Sequence, residues 1–243
     1  MGASWRQVST LLFDFGGTLD VPAVHWLDRF WRHYCDAGIN LSRDELDLAY
    51  AYATQRGYGA GDRIYGYGLR RLVDELVKWQ IDCLLEHLPG RVPPSVRDAA
   101  AGIAERFCAE SAAGYQCSRA ALAALAPRFA IGVVSNFYGN LEAVLNEAGL
   151  LPLVAAAIDS SRVGVFKPDP AIYRTALARL KASPEATAMV GDSLSKDCAP
   201  AQRLGLRTVW LAPASRYTQP SEARPDLVVG NLQELVEICL GAD

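Results

Sequence analysis

Several things this chain has little of exclude whole classes of protein. Histidine occurs three times and cysteine six times (Cys35, Cys83, Cys108, Cys117, Cys198 and Cys239), with no C-x-x-C and no histidine at ligand spacing. That scatter argues against structural zinc and against a disulfide framework, and it predicts reduced thiols in a cytoplasmic protein. Lysine is scarce, four residues against 20 arginines, and the net charge is −3, so no basic footprint for a nucleic acid is present. No long uncharged apolar run follows the N-terminus, where Asp14 interrupts the single candidate, so neither a signal peptide nor a membrane span is expected. Repeats and low-complexity tracts are missing as well.

What is there is a chain of 243 residues, 51% hydrophobic, with apolar content for one large or two modest cores. Its organising stretch is VSTLLFDFGGTLD, residues 8–20. Leu11, Leu12 and Phe13 read as a short buried strand that delivers Asp14 to a Gly16-Gly17 turn. In an open α/β protein this puts the carboxylate at the ligand-binding edge of a parallel sheet.

From Pro22 to about residue 115 the periodicity is helical. Leu27, Phe30, Trp31 and Tyr34 recur at helical spacing, and Ser42-Arg-Asp-Glu45 is a capping box. Leu69, Leu72, Val73, Leu76, Val77, Leu84, Leu85 and Leu88 form one stripe, with Asp74–Lys78 and Arg71–Glu75 expected to pair on the wet face. Residues 57–68 break the pattern, and 95–112 read as a further helix. Strands and helices then alternate. Strands are predicted at 129–134, 154–158, 186–190, 207–211 and 227–229, and helices at 118–126, 141–148, 170–180, 195–204 and 231–240. This is the pattern of a parallel α/β sheet split after its first strand by a helical insertion. The expected division is 1–20 with 116–243 as the core and 21–115 as the insert, hinged at Gly16-Gly17 and at 115–118.

Asp14, Ser135-Asn136 and Asp192 each follow a predicted strand, and Lys167 stands in a loop just before a helix. In a parallel sheet these ends converge. A carboxylate nucleophile, a hydroxyl donor, an ammonium and further carboxylates are the parts of phosphoryl transfer through an aspartyl-phosphate. Asp14 and Asp192 suit Mg²⁺, which takes one or two carboxylates plus water and substrate phosphate. Taken singly, each residue has a plainer reading: turn carboxylates, a solvated lysine, a helix entry at Ser135-Asn136, a first-turn carboxylate at Asp197.

Together the motifs resemble a known family. FDFGGTL, VVSN, FKPDPAIY and VGDSLSKDCAPAQRLGL are similar, in order and spacing, to the four motifs of the haloacid dehalogenase (HAD) superfamily, over nearly the whole chain. The resemblance implies a Rossmann-like parallel sheet with helices on both faces and an inserted, all-helical C1-type cap. It implies Asp14 as nucleophile and Ser135, Asn136 and Lys167 as binders of the transferring group. It also implies Mg²⁺ held by Asp14, the Gly16 carbonyl and Asp192, with Asp197 supporting the metal or its waters. The implied activity is Mg²⁺-dependent hydrolysis of a small phosphorylated or otherwise anionic substrate, by a monomer or homodimer.

One position departs from the pattern. Phosphatases of the family carry an acid two residues after the nucleophile, and here that position is Gly16. The family's dehalogenases also lack this acid, but their fourth motif lacks the Gly191-Asp192 metal site. The phosphonatase branch needs a cap lysine, and the only lysine before Lys167 is Lys78, expected to pair with Asp74. Two alternatives stand beside the phosphatase: a 2-haloacid dehalogenase-type hydrolase, and a non-catalytic protein that binds phosphate or a partner. Asp20 could replace the missing acid, although a cap for a helix beginning at Pro22 is the simpler reading. His25 reads as surface or cap packing; the Gly/Tyr loop with Arg56, Tyr58, Arg63, Tyr65 and Tyr67 reads either as facing the substrate or as a plain connector, and no site is placed there. A general acid contributes about 10²–10⁴-fold, most where the leaving group is poor. Aryl or acyl phosphates are therefore expected to be cleaved and sugar phosphates only slowly.

Overall fold

The computed structural model describes residues 5–213 and 224–241. The chain forms β1 (Thr10–Phe13), then four helices, α1 (Trp26–Asp36), α2 (Arg43–Tyr58), α3 (Leu69–His87) and α4 (Ala100–Leu125), before returning to β2 (Ala130–Ser135). There follow α5 (Leu141–Glu147), β3 (Ala156–Asp159), α6 (Ser160–Val163), α7 (Pro170–Leu180) and β4 (Thr187–Gly191). The last elements are α8 (Ala199–Arg203), β5 (Arg207–Leu211), β6 (Leu227–Val229) and α9 (Leu232–Leu240). Among the described residues no helix is long and apolar enough to cross a membrane.

The strands are all parallel, in the order β3-β2-β1-β4-β5-β6. β1 is buried along its whole length, with Phe13 level with Val133 of β2 and Val190 of β4. Because strand side chains alternate faces, Leu11 and Phe13 join one apolar cluster while Leu12 joins another. The larger cluster runs from the sheet to Phe30 of α1, Leu72 of α3 and Phe107 of α4, and the smaller one packs Ile172 of α7 against Met189. Strands covered on both faces read as continuous apolar runs, which is what made them legible. The strand order reverses between β1 and β4, and beyond the carboxyl ends at such a switch point open α/β sheets bind ligands.

The helical region departs from expectation in several places. α1 starts at Trp26 rather than Pro22, with His25 as its N-cap. α2 extends through Gly57 and Tyr58, two residues assigned above to a loop. The expected break at 112–118 does not occur, because α4 is one helix. Ser111 and Ser118 sit on its buried side and donate to the carbonyls of Phe107 and Leu19, which interrupts the apolar stripe without interrupting the helix. On α3, Asp74 pairs with Arg70 at 3.0 Å, and Arg71 lies over the Tyr67 ring. The helix expected at 195–204 is a π-helical turn, Leu194–Cys198, running into α8.

Candidate active site

Asp14 is the first residue after β1, and its amide still donates to the Val190 carbonyl at 2.9 Å. That bond extends the β4 ladder by one residue and fixes the side chain at the switch point. Its Oδ1 accepts from Ser135 Oγ at 2.9 Å and from Lys167 Nζ at 2.7 Å. Lys167 Nζ also donates to Asp197 Oδ1 at 2.6 Å, so one buried ammonium bridges two carboxylates. Burial opposes the lysine's charge, but Asp14 and Asp197 outweigh it and hold the pKa above the usual lysine value. Asn136 spends its amide on the same loop: Nδ2 donates to the Lys167 carbonyl at 2.9 Å, and Oδ1 accepts from the Lys167 amide at 2.7 Å.

Asp192 follows β4, and Trp210 Nε1 donates to its carbonyl at 3.0 Å. One carboxylate oxygen from each of Asp14, Asp192 and Asp197 lies within 4.8 Å of the others, and all three residues are buried. Two glycines make the room. A β-carbon on Gly17 would stand 2.5 Å from Asp192 Oδ2, and one on Gly191 would stand 2.3 Å from Asp197 Oδ2. Gly17 also has φ +81°, a conformation that glycine adopts without steric cost. Asp197 Oδ2 accepts from the Ser193 amide at 3.0 Å, whereas no hydrogen-bond donor reaches the Asp192 carboxylate among the described residues.

Burial, then the charges of Asp14 and Asp197, raise the Asp192 pKa well above the usual carboxylate range. Burial and Asp14 push Asp197 up to about 6 against the pull of Lys167. Three crowded carboxylates, one without a donor, are the donor set of a hard divalent cation, and the residues fit Mg²⁺. Gly16 lines the same cavity.

The structure therefore brings Asp14, Gly16, Ser135, Asn136, Lys167, Asp192 and Asp197 together. Asp20 is elsewhere employed. It is fully buried, Oδ1 accepting from the Gly17 and Val21 amides at 2.7 Å and Oδ2 from Trp26 Nε1 and Arg29 Nη1 at 2.5 Å. Four donors leave it no lone pair for a transferable proton, and it caps no helix. His25 does line the cavity, but its Nδ1 accepts from the Leu27 amide at 3.2 Å. At Gly16 a β-carbon would lie 3.1 Å from Trp26 Nε1, so the indole occupies the space beside the turn.

The sequence reading placed no site on the other wall. The cavity of about 120 Å³ around Asp14 is also lined by Trp26, Tyr50, Tyr58, Phe137 and Tyr138, and Tyr50, Tyr58 and Asn136 line an outer chamber of about 790 Å³ too. Tyr50, Thr54 and Tyr58 stand at i, i+4 and i+8 on α2, a stripe the sequence does carry. Arg56 lies near the rings of Tyr52 and Trp79, Tyr65 sits under Arg162 and Tyr67 under Arg71, all outside this cavity.

Comparison with known proteins shows what this chain is similar to. A phosphoserine phosphatase of Thermus thermophilus is 43% identical over 88 residues, 36% of this chain and 35% of that protein. A glyceraldehyde 3-phosphate phosphatase of Methanocaldococcus jannaschii is 32% identical over 90 residues, 37% of this chain and 40% of that protein. The chain thus spans less than half the length of these curated relatives. The magnesium-bound HAD-hydrolase YfnB of Bacillus subtilis superposes with a TM-score of 0.59 at 24% identity, covering 96% of this chain and 98% of that one. The L-2-haloacid dehalogenase of Xanthobacter autotrophicus gives 0.59 at 17%, covering 96% and 99%. At such identities the two structures share the fold alone. The haloacid dehalogenase-like hydrolase family itself matches residues 8–205, from the strand that presents Asp14 past the one that presents Asp192, and this chain belongs to that family of hydrolases.

Proposed function

We propose that this hydrolase is a Mg²⁺-dependent phosphatase that acts on a small phosphorylated substrate through an aspartyl-phosphate. The observation that carries the reading is the buried trio Asp14, Asp192 and Asp197 packed around Lys167. Displacing a halide requires a nucleophile but no cluster of acids, whereas a phosphoryl group arrives with a divalent cation that such a cluster holds. The phosphatases among the relatives support the same choice.

Asp14 Oδ1 is engaged by Ser135 and Lys167, which leaves Oδ2 as the attacking atom. A bond forms from Oδ2 to phosphorus as the bond from phosphorus to the leaving oxygen breaks. Water then attacks phosphorus, releasing inorganic phosphate and restoring the carboxylate. Lys167 Nζ donates its third proton to a phosphoryl oxygen, Ser135 Oγ turns from Asp14 to another as the phosphoryl group binds, and Asn136 is a positioning residue that holds the Lys167 loop. Asp14, Asp192 and the Gly16 carbonyl would hold Mg²⁺, with Asp197 supporting its waters. Bound there, the ion would offset the repulsion between an anionic nucleophile and an anionic substrate. Residues 21–115 act as a C1-type cap over this site, and the six unpaired cysteines suit a reducing, cytoplasmic setting.

The test is phosphate release from a panel of phosphate esters and halide release from 2-haloacids, each with Mg²⁺ and with excess EDTA. Phosphate release that needs Mg²⁺ and is lost in Asp14→Asn is expected, with Asp192→Asn losing Mg²⁺ binding in calorimetry. Halide release, or full activity in EDTA, overturns the reading.

A further inference from the structure

Resting on the phosphatase reading, we propose that the site selects a planar aromatic leaving group, so that its substrates are aryl phosphates. Two independent features converge on this class. The first is chemical. Gly16 has no proton to give, the adjoining space is filled by Trp26, Asp20 is saturated by four donors, and the Nδ1 of His25 is taken by the Leu27 amide. A leaving group must then depart as a stabilised anion, which a phenolate does and an alkoxide does not.

The second feature is the shape and lining of the chambers. A cavity of about 150 Å³ holds one benzene ring, so the inner space of about 120 Å³ has room for the phosphoryl group and not for a ring beside it. The leaving group extends into the outer chamber of about 790 Å³, past Tyr50 and Tyr58, which line both, and toward Phe166. The Tyr58 ring lies 5.2 Å from that of Tyr138 and 4.8 Å from that of Phe166, tilted by 32° and 58°. These are the spacings of aromatic clusters, into which a further ring inserts with favourable edge and offset contacts. Burial holds the Tyr50 and Tyr58 hydroxyls as neutral phenols.

Charge on the lining points the same way. Among the described residues no arginine lines either chamber; Lys196 lines both, and Asp47 stands in the outer one. A second anionic group on the substrate, such as a carboxylate, would find one lysine there, with Asp47 in the same outer chamber. A small acyl phosphate would meet the leaving-group requirement but leave the rings uncovered.

Calorimetry with phenylphosphonate and methylphosphonate in the presence of Mg²⁺ separates binding from turnover. Phenylphosphonate should bind about tenfold more tightly, the worth of one or two aromatic contacts. Tyr58→Ala should bring it down to the methylphosphonate level, while Tyr58→Phe keeps the preference. In turnover, kcat/KM for phenyl phosphate should exceed that for acetyl phosphate, although acetate is the better leaving group. Equal affinities, or faster acetyl phosphate, overturn the aromatic assignment and leave the phosphatase reading intact. Failure of both phosphonates to bind overturns the phosphatase reading itself.

Discussion

The turn that follows Asp14 is held from the helices by a buried ion pair, and Asp20→Ala measures that hold. Arg29 is wholly buried. Its guanidinium donates to Asp20 Oδ2 at 2.5 Å, Glu110 Oε2 at 2.9 Å, the Phe107 carbonyl at 2.7 Å and Ser111 Oγ at 2.6 Å, and lies 3.7 Å over the Phe107 ring. Removing Asp20 strips one anion from a cation that cannot reach water and orphans the donors on Gly17, Val21 and Trp26. Breaking a buried pair from one side costs about 3–5 kcal/mol. Glu110 still shares the charge, so the orphaned donors keep the loss in that range rather than adding fully to it.

At about 2–4 °C per kcal/mol for a chain of this size, the melting temperature should fall by roughly 6–20 °C. Urea unfolding followed by circular dichroism, on the wild type, Asp20→Ala, Arg29→Met and the double variant, gives the coupling. The double variant leaves neither charge stranded, so it should be more stable than the sum of the singles predicts, by about 1–3 kcal/mol. Because Gly17 loses its Asp20 bond, Mg²⁺ affinity should fall as well. A loss in Asp20→Ala of less than about 1 kcal/mol, or strict additivity, would refute the reasoning.

Further outcomes follow from other contacts. A β-carbon on Gly114 would stand 1.6 Å from the Asp20 carbonyl oxygen, so Gly114→Ala should severely destabilise the fold; Gly102→Ala in the same helix meets only the Arg106 guanidinium, at 3.4 Å, and should melt no lower than wild type. Burial lowers the His33 pKa below 6.5 against the pull of Glu110. As pH falls the unfolded chain binds that proton first, so the stability His33 contributes is complete above about pH 6.5 and is lost below it. Urea midpoints for His33→Gln should accordingly depend less on pH than wild type between about pH 7.5 and 5. Amides at 112–118 should exchange as slowly as those of β1, since this segment is helical and tied to Leu19 through Ser118; fast exchange there would restore a hinge at that place.

Much of this molecule is written locally. β5, β6 and α7 have the bounds that periodicity and turn residues predict, because each is decided within its own few residues. Asp14, Ser135 and Asp192 were recognisable for the same reason: each is the residue at a strand's end, and a parallel sheet brings such ends together whatever lies between them. Other features depend on partners far along the chain. Asp20 read as a helix cap until Arg29 and Trp26 were seen to consume its oxygens. Residues 112–118 read as a break because the partners of Ser111 and Ser118 lie across a packed interface. Tyr58 read as loop, yet it turns toward Tyr138 and Phe166 at the mouth of the site. The sequence alone thus determined the sheet, the family and which strand-end residues meet in the cavity, since strand ends and glycine turns are short-range signals. Only the tertiary structure decided which acid is locked away and which rings line the cavity, since both follow from contacts between residues that sequence spacing does not relate.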